Sequence, residues 1–194
     1  MGEKRKRIGV DIDEVVAGYM KVFLKRYNAK KKKSLTTNDI THYHLWECGI
    51  HNSKEESINE IDEFQSSEDF NQIELIDDAK EGIREISKKW EIYFITSRPE
   101  KLKEKTKNFF ARHFPQNNYN FLFSGEIHGG KTKPEICLQM GIKIMIEDNP
   151  EYALDCAKNG IKTFLLDKPW NKNYSQHENL IKVKSWEEIV KSLN

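Results

Sequence analysis

The chain has 194 residues, 32 Lys/Arg against 31 Asp/Glu, a formal net charge of +1 and 37% hydrophobic residues. That length suits one domain of ordinary size or a core with a small insert. No apolar run approaches the roughly 18–20 residues of a membrane span, and the charged start Met1-Gly2-Glu3-Lys4-Arg5-Lys6-Arg7 has no apolar stretch behind it, so no membrane anchor or secretory signal is expected and a cytoplasmic protein is.

The first predicted element is the most informative. Ile8, Val10 and Ile12 read as a short strand of the kind buried on both faces, and it delivers Asp11 and Asp13 at its carboxyl end. Two such close acids repel each other and lose hydration, which a cation or a phosphoryl group offsets. A solvated acidic turn capping the next helix is the plainer alternative. Residues 15–27 predict a helix, apolar at 15, 16, 19, 20, 23 and 24. The lysine run 30–33 and the polar stretch 34–39 read as a connection. Ile58, Ile61 and Phe64 mark a polar helix over 55–64, and no strand is expected between 15 and 90.

Charge is segregated over this first part. Residues 1–33 carry eleven Lys/Arg against four Asp/Glu, while residues 34–78 carry one Lys against twelve Asp/Glu. A polymer-binding protein usually surrounds its site with basic charge. An acidic segment over the site would repel a long polyanion more than a single small phosphate, so no nucleic-acid polymer is expected as a partner. The basic runs read as solvated ends and loops.

From residue 77 helices and strands alternate. A helix over 79–90 leads to a strand over 91–95, ending at Thr96-Ser97-Arg98-Pro99. A helix over 100–113 precedes a strand over 119–123. A helix over 132–140, stopped by Gly141, precedes a strand over 142–146 that ends at Glu147-Asp148-Asn149-Pro150. A helix over 151–159, a strand over 162–166 and a terminal helix over 185–193 complete the chain. Cys48, Cys137 and Cys156 are scattered, which argues against a disulfide framework and a zinc site; Cys137 and Cys156 suit small core positions.

Strands alternating with helices of about ten residues indicate a parallel α/β sheet. Right-handed crossovers put every strand's carboxyl end on one edge, where ligands bind. Asp11 and Asp13, Thr96 and Ser97, and Glu147 and Asp148 all fall at that edge.

The order and spacing of these groups resemble the haloacid dehalogenase-like (HAD) phosphotransferase superfamily over nearly the whole chain. The motifs are Asp11-Ile12-Asp13, Thr96-Ser97, a lysine within Gly129-Gly130-Lys131-Thr132-Lys133-Pro134, and Glu147-Asp148. Within it the chain looks most like the 5′(3′)-deoxyribonucleotidase family and its bacterial relatives. Further cues are Ile95-Thr96-Ser97-Arg98-Pro99, Leu166-Asp167-Lys168-Pro169-Trp170-Asn171 and Val183-Lys184-Ser185-Trp186-Glu187-Glu188-Ile189. Two departures stand out: Glu147 precedes Asp148 where many relatives have two Asp residues, and two lysines compete for one role. Lys133, in a Lys-Pro pair opening a helix, matches better than Lys131.

The resemblance implies a Rossmann-like core of residues 1–16 and 77–194, its central parallel sheet flanked by helices, with a helical cap of residues 17–76 inserted after the first strand. It implies a Mg²⁺-dependent phosphatase acting on a small phosphorylated substrate, best a nucleoside or deoxynucleoside monophosphate. Asp11 would be the nucleophile and Asp13 the acid and base. Asp11, Asp148 and the Asp13 carbonyl would hold Mg²⁺, with Glu147 behind them holding a water. Thr96, the Ser97 amide and Lys133 (or Lys131) would bind the phosphoryl group. Tyr43, Trp46 and Phe64 could stack on a base or simply pack the cap. Arg98 could reach the substrate or the acidic cap. His42 and His44 are not expected to bind metal. Other readings are a phosphatase of another small metabolite or of a nucleic-acid 3′-phosphate end, a HAD protein that only binds phosphate, and a receiver-type phospho-acceptor domain. The last lacks an acceptor Asp where the strand before Ser124-Gly125 ends.

Overall fold

The computed structural model describes residues 5–117, 119–124 and 130–194; the readings placed on Met1–Lys4, Gly125 and Gly129 fall outside them. Six strands form one sheet: β1 (Lys6–Val10), β2 (Trp90–Thr96), β3 (Asn120–Phe123), β4 (Ile144–Glu147), β5 (Lys162–Leu166) and β6 (Leu180–Val183). Their order is β3-β2-β1-β4-β5-β6, with every neighbouring pair parallel. The chain runs outward from β1 in both directions, so the topological switch lies at its carboxyl end. The sixth strand was not expected. It is a four-residue edge strand, Leu-Ile-Lys-Val, too short and too polar in its surroundings to show a period.

Successive strand residues enter opposite apolar layers, as the two-residue side-chain period requires. Ile92, Phe94, Ile146 and Phe164 belong to one core with Ile83, Phe110 and Trp186; Tyr93, Ile95 and Met145 belong to another with Ile136, Cys137 and Cys156. The first layer is covered by α3 (Ala79–Ser87), α4 (Lys103–His113) and α7 (Trp186–Leu193), the second by α5 (Lys133–Met140) and α6 (Pro150–Lys158). All three cysteines are free, with Cys137 and Cys156 fully buried. No helix of the described residues is long and apolar enough to cross a membrane.

α3 and α7 meet where Gly82 faces Trp186. A Cβ at Gly82 would lie 2.4 Å from the indole ring, and Trp186 is buried and donates its Nε1 to Val15 O (2.8 Å). The ring has no room to retreat. Gly82→Ala should therefore destabilise by about 1–2 kcal/mol despite its better helix propensity, a loss that denaturant titration would register.

Between β1 and α3 lie α1 (Tyr19–Lys31), α2 (Lys54–Ser66) and two 3₁₀ turns (Thr37–Asp39 and Glu68–Gln72). The helix expected from residue 15 begins at Tyr19. Glu14 adopts φ 60°, and the amides of Val16 and Ala17 both turn back to Ile12 O (2.9 and 2.8 Å). Val15 and Val16 are fully buried, so the apolar spacing reported burial correctly but not conformation. The insert leaves and rejoins the core at a narrow neck. Ala17 pairs antiparallel with Leu75, Gly18 N donates to Glu74 O, and Ile76 N donates to Val16 O (both 2.9 Å).

The basic and acidic blocks of the sequence cancel across the insert. Lys30 pairs with Glu60 and Glu63, Lys31 with Glu60, and Arg26 with Glu63 and Asp69. Glu60 and Glu63 thus clamp α2 to α1. His51 lies buried beneath this region, its ring edge-on to Tyr27 (5.2 Å), with neither nitrogen hydrogen-bonded among the described residues. Burial holds its pKa below the ordinary 6.5. The folded state therefore resists a proton that the unfolded chain accepts, and stability is lost as pH falls below about 6.5. His51→Phe should show a shallower decline in melting temperature between pH 7 and 5 than the native chain.

Candidate active site

Asp11 continues β1 by one residue: its amide donates to Ile146 O at 2.9 Å. This places its carboxylate beside the end of β4. Oxygens of Asp11, Glu147 and Asp148 all lie within 4.8 Å of one another, and all three residues are buried. Lys133 enters from the first turn of α5. Thr132 caps that helix and Glu135 bonds back to the Thr132 amide (2.7 Å), so the turn carrying Lys133 is held at both ends. Its Nζ donates to Asp11 Oδ1 at 2.7 Å and to Glu147 Oε1.

Glu147 accepts Lys133 through one oxygen and the amides of Asp148 (2.7 Å) and Asn149 (2.9 Å) through the other, so it anchors both Lys133 and its own loop. Asp148 is fixed from β5: Oδ2 accepts Trp170 Nε1 (2.9 Å), and its carbonyl accepts Asn171 Nδ2 (2.8 Å). Glu14, next to the Asp pair, bonds the Met20 amide (2.6 Å) and Lys168 (3.2 Å), tying the start of α1 to the loop after β5.

Of the three buried carboxylates, Asp11 and Glu147 share the Lys133 ammonium, while Asp148 has no ion pair among the described residues. Burial, moderated by Lys133 and reinforced by Glu147 and Asp13, pushes the Asp11 pKa up to about 7. Burial with the charges of Glu147 and Asp11 drives Asp148 well above the carboxylate range. Lys133 is desolvated, but Asp11 and Glu147 outweigh that and hold it protonated. A dry, oxygen-only donor set whose carboxylates crowd one another fits a hard divalent cation.

Thr96 ends β2, buried, with its Oγ1 accepting the Arg98 amide (3.2 Å). The Ser97 hydroxyl is buried and has no hydrogen-bond partner among the described residues. Asp13 pairs with Arg98 through both oxygens (2.9 and 2.6 Å). Arg98 therefore turns toward Asp13, with its guanidinium 5.0 Å from the Phe70 ring of the insert. Lys131 is exposed and bonds Gln139 (2.6 Å), away from the cluster that Lys133 joins.

The three aromatic candidates separate. Phe64 is buried, edge-on to Tyr19 (5.1 Å) and Phe23 (5.6 Å), and offers no face to a ligand. Trp46 stacks on His44 (4.3 Å), and His44 approaches Glu151 at 3.7 Å. Tyr43 is 36% exposed; burial, then the charge of Asp148, raises its pKa well above the ordinary value. Its ring meets Tyr152 (6.2 Å), which in turn lies under Lys133 Nζ (5.0 Å). Sequence reasoning missed Tyr152, Trp170, Asn171 and Glu14 as site residues. Trp170 and Asn171 stood within a family cue but had no assigned task, and nothing in the spacing of Tyr152 separates it from an ordinary helix residue.

A parallel sheet with acids from two strand ends, a buried lysine and a Thr-Ser turn at its switch point defines a phosphatase of the haloacid dehalogenase-like superfamily. The family model described as 5′ nucleotidase, deoxy (Pyrimidine), cytosolic type C protein matches residues 5–193, and the chain belongs to that family. A relative from Halalkalibacterium halodurans is 30% identical over 187 residues, spanning 95% of this chain and 91% of its own. A protein of Clostridium acetobutylicum named a nucleotidase is 28% identical over 182 residues, spanning 94% and 90%. Among solved structures, YfnB of Bacillus subtilis, a HAD-hydrolase structure bound to magnesium, superposes with a TM-score of 0.66 at 14% identity, over 99% of this chain and all of that one, a likeness of fold.

Proposed function

We propose that the protein hydrolyses a nucleoside or deoxynucleoside monophosphate with the help of Mg²⁺. The observation that carries this reading is the convergence of Asp11, Asp148 and Lys133 at the end of β1; the names of the family and its relatives support the nucleotide. A phosphate monoester dianion repels nucleophiles, and its uncatalysed hydrolysis is slow enough that enzymes supply up to ~10²¹-fold. Charge must be neutralised and an in-line approach imposed.

In this reading an oxygen of Asp11 attacks phosphorus while the ester P–O bond breaks and Asp13 gives a proton to the departing alkoxide. Water then attacks the aspartyl-phosphate, Asp13 takes back a proton, and phosphate leaves with Asp11 restored. Lys133 offsets the repulsion between Asp11 and the phosphoryl group, and Thr96 and Ser97 receive its oxygens. Asp11, Asp148 and the Asp13 carbonyl would hold the magnesium, which supplies positive charge to the phosphoryl oxygens when bound. Residues 17–76 act as a cap that shields the reaction from water, with the neck at 16–18 and 74–76 as its boundary. Tyr43 and Trp46, at the cap's inner side near α6, contact the substrate. A small phosphorylated partner and a cytoplasmic location belong to the same reading.

The test is phosphate release across nucleoside monophosphates and sugar phosphates. EDTA should abolish it and added Mg²⁺ restore it. Mg²⁺ should also raise the melting temperature, because binding to the folded state alone adds stability, and Asp148→Asn should remove that gain. Activity confined to sugar phosphates would dismiss the nucleotide, and EDTA-insensitive activity would dismiss the cation.

A further inference from the structure

We propose that Arg98 is a positioning residue that holds the Asp13 carboxylate in the orientation needed for proton transfer. The inference rests on reading Asp13 as the acid and base. Arg98 is buried, its side chain 2% exposed, while Asp13 keeps 28% of its side chain open. The guanidinium is fixed on every side. Nε and Nη2 fork onto the two Asp13 oxygens (2.9 and 2.6 Å), and Nη1 donates to the buried Thr106 Oγ1 in α4 (3.0 Å). Its flat face lies 5.0 Å from the ring of Phe70, in the returning arm of the insert. The Arg98 backbone is tied as well, through its amide to Thr96 Oγ1.

A fork of this kind fixes a plane as well as a distance. Each carboxylate oxygen has two acceptor sites, so the fork uses one per oxygen and leaves the outer ones free. The open edge of Asp13 can then exchange a proton while its rotation is stopped. A side chain emerging from a tight turn would otherwise swing about χ1 and χ2, and small misplacements of a catalytic group are costly. Lysine would not substitute, because an ammonium is a point charge without the fork.

The readout is dependence on the leaving group, measured with a nucleoside monophosphate and with 4-nitrophenyl phosphate. The phenolate of the second leaves without needing a proton; the alkoxide of the first does not. Both substrates need the base in the second half-reaction. Arg98→Gln should slow the first turnover of the nucleotide by roughly 10–100-fold, within the range of acid–base catalysis. With 4-nitrophenyl phosphate it should release about one equivalent of nitrophenolate per site at the native rate and then stall, the burst expected of an accumulating covalent intermediate. Arg98→Lys should behave like Arg98→Gln. The comparison of the two substrates within one sample is unaffected by any unfolded fraction. If Arg98→Gln proves insoluble, Thr106→Val, which removes only the hydroxyl bracing the guanidinium, should shift the two first-turnover rates apart in the same sense by a few-fold. Equal losses on both substrates, or no loss on either, would overturn the inference. Failure of the underlying reading looks different: Asp13→Asn would then keep nucleotide turnover, whereas an inactive Asp13→Asn with an unchanged leaving-group dependence in the Arg98 and Thr106 variants would sink the positioning role alone.

Discussion

Asp11→Asn is expected to reduce phosphate release by on the order of 10⁴-fold or more while making the metal-free protein more stable. The two effects have one cause. Asp11 sits in a buried cluster with Glu147, Asp148 and one balancing ammonium. Removing its charge removes the nucleophile and relieves repulsion that the fold otherwise bears, a trade between activity and stability common at catalytic centres. Lys133 keeps its bond to Glu147 in the variant, so no buried cation is stranded. Phosphate assays with a melting curve in EDTA check both halves. A variant that melts below the native chain in EDTA would contradict this account of the cluster, and one that retains turnover would remove Asp11 as nucleophile.

Lys133→Met should have the opposite effect on stability. Its side chain is 2% exposed and touches two buried carboxylates. Methionine fills similar volume but leaves both acids without their cation. Breaking a buried ion pair from one side costs about 3–5 kcal/mol, and here one lysine serves two partners. Activity should vanish with it. Lys131→Met is the matched control: that lysine is exposed and bonds only Gln139 among the described residues, so stability should stay within about 0.5 kcal/mol. Chemical denaturation of the two variants side by side would decide between the lysines, and similar behaviour would refute the assignment of Lys133.

The alternation of helices and strands from residue 77 was legible because it rests on local periodicity. The placement of Asp11, Thr96 and Asp148 at one edge followed from chain topology alone. What could not be read depends on partners distant in sequence. Arg98 read as a group that could reach the substrate or the acidic cap; its fork onto Asp13, 85 residues earlier, has no local signal. That Glu60 and Glu63 of the acidic block pair with Lys30 of α1 could not be read from the sequence. For Phe64 stacking on a base and packing the cap were both open, and only its enclosure by Tyr19 and Phe23 decides for packing. The turn at Glu14 was hidden because Val15 and Val16 are as apolar as helix residues would be, and only the ladder to Ile12 and Leu75 shows that they are not helical.

The short ladder joining residues 16–18 to 74–76 has a consequence for how such a chain can vary. Its two ends are already hydrogen-bonded to each other, so whatever is strung between them can grow, shrink or be exchanged without shifting the register of any sheet strand. The sheet and the segment strung between those ends can thereby be revised separately by mutation, with the ladder acting like a socket.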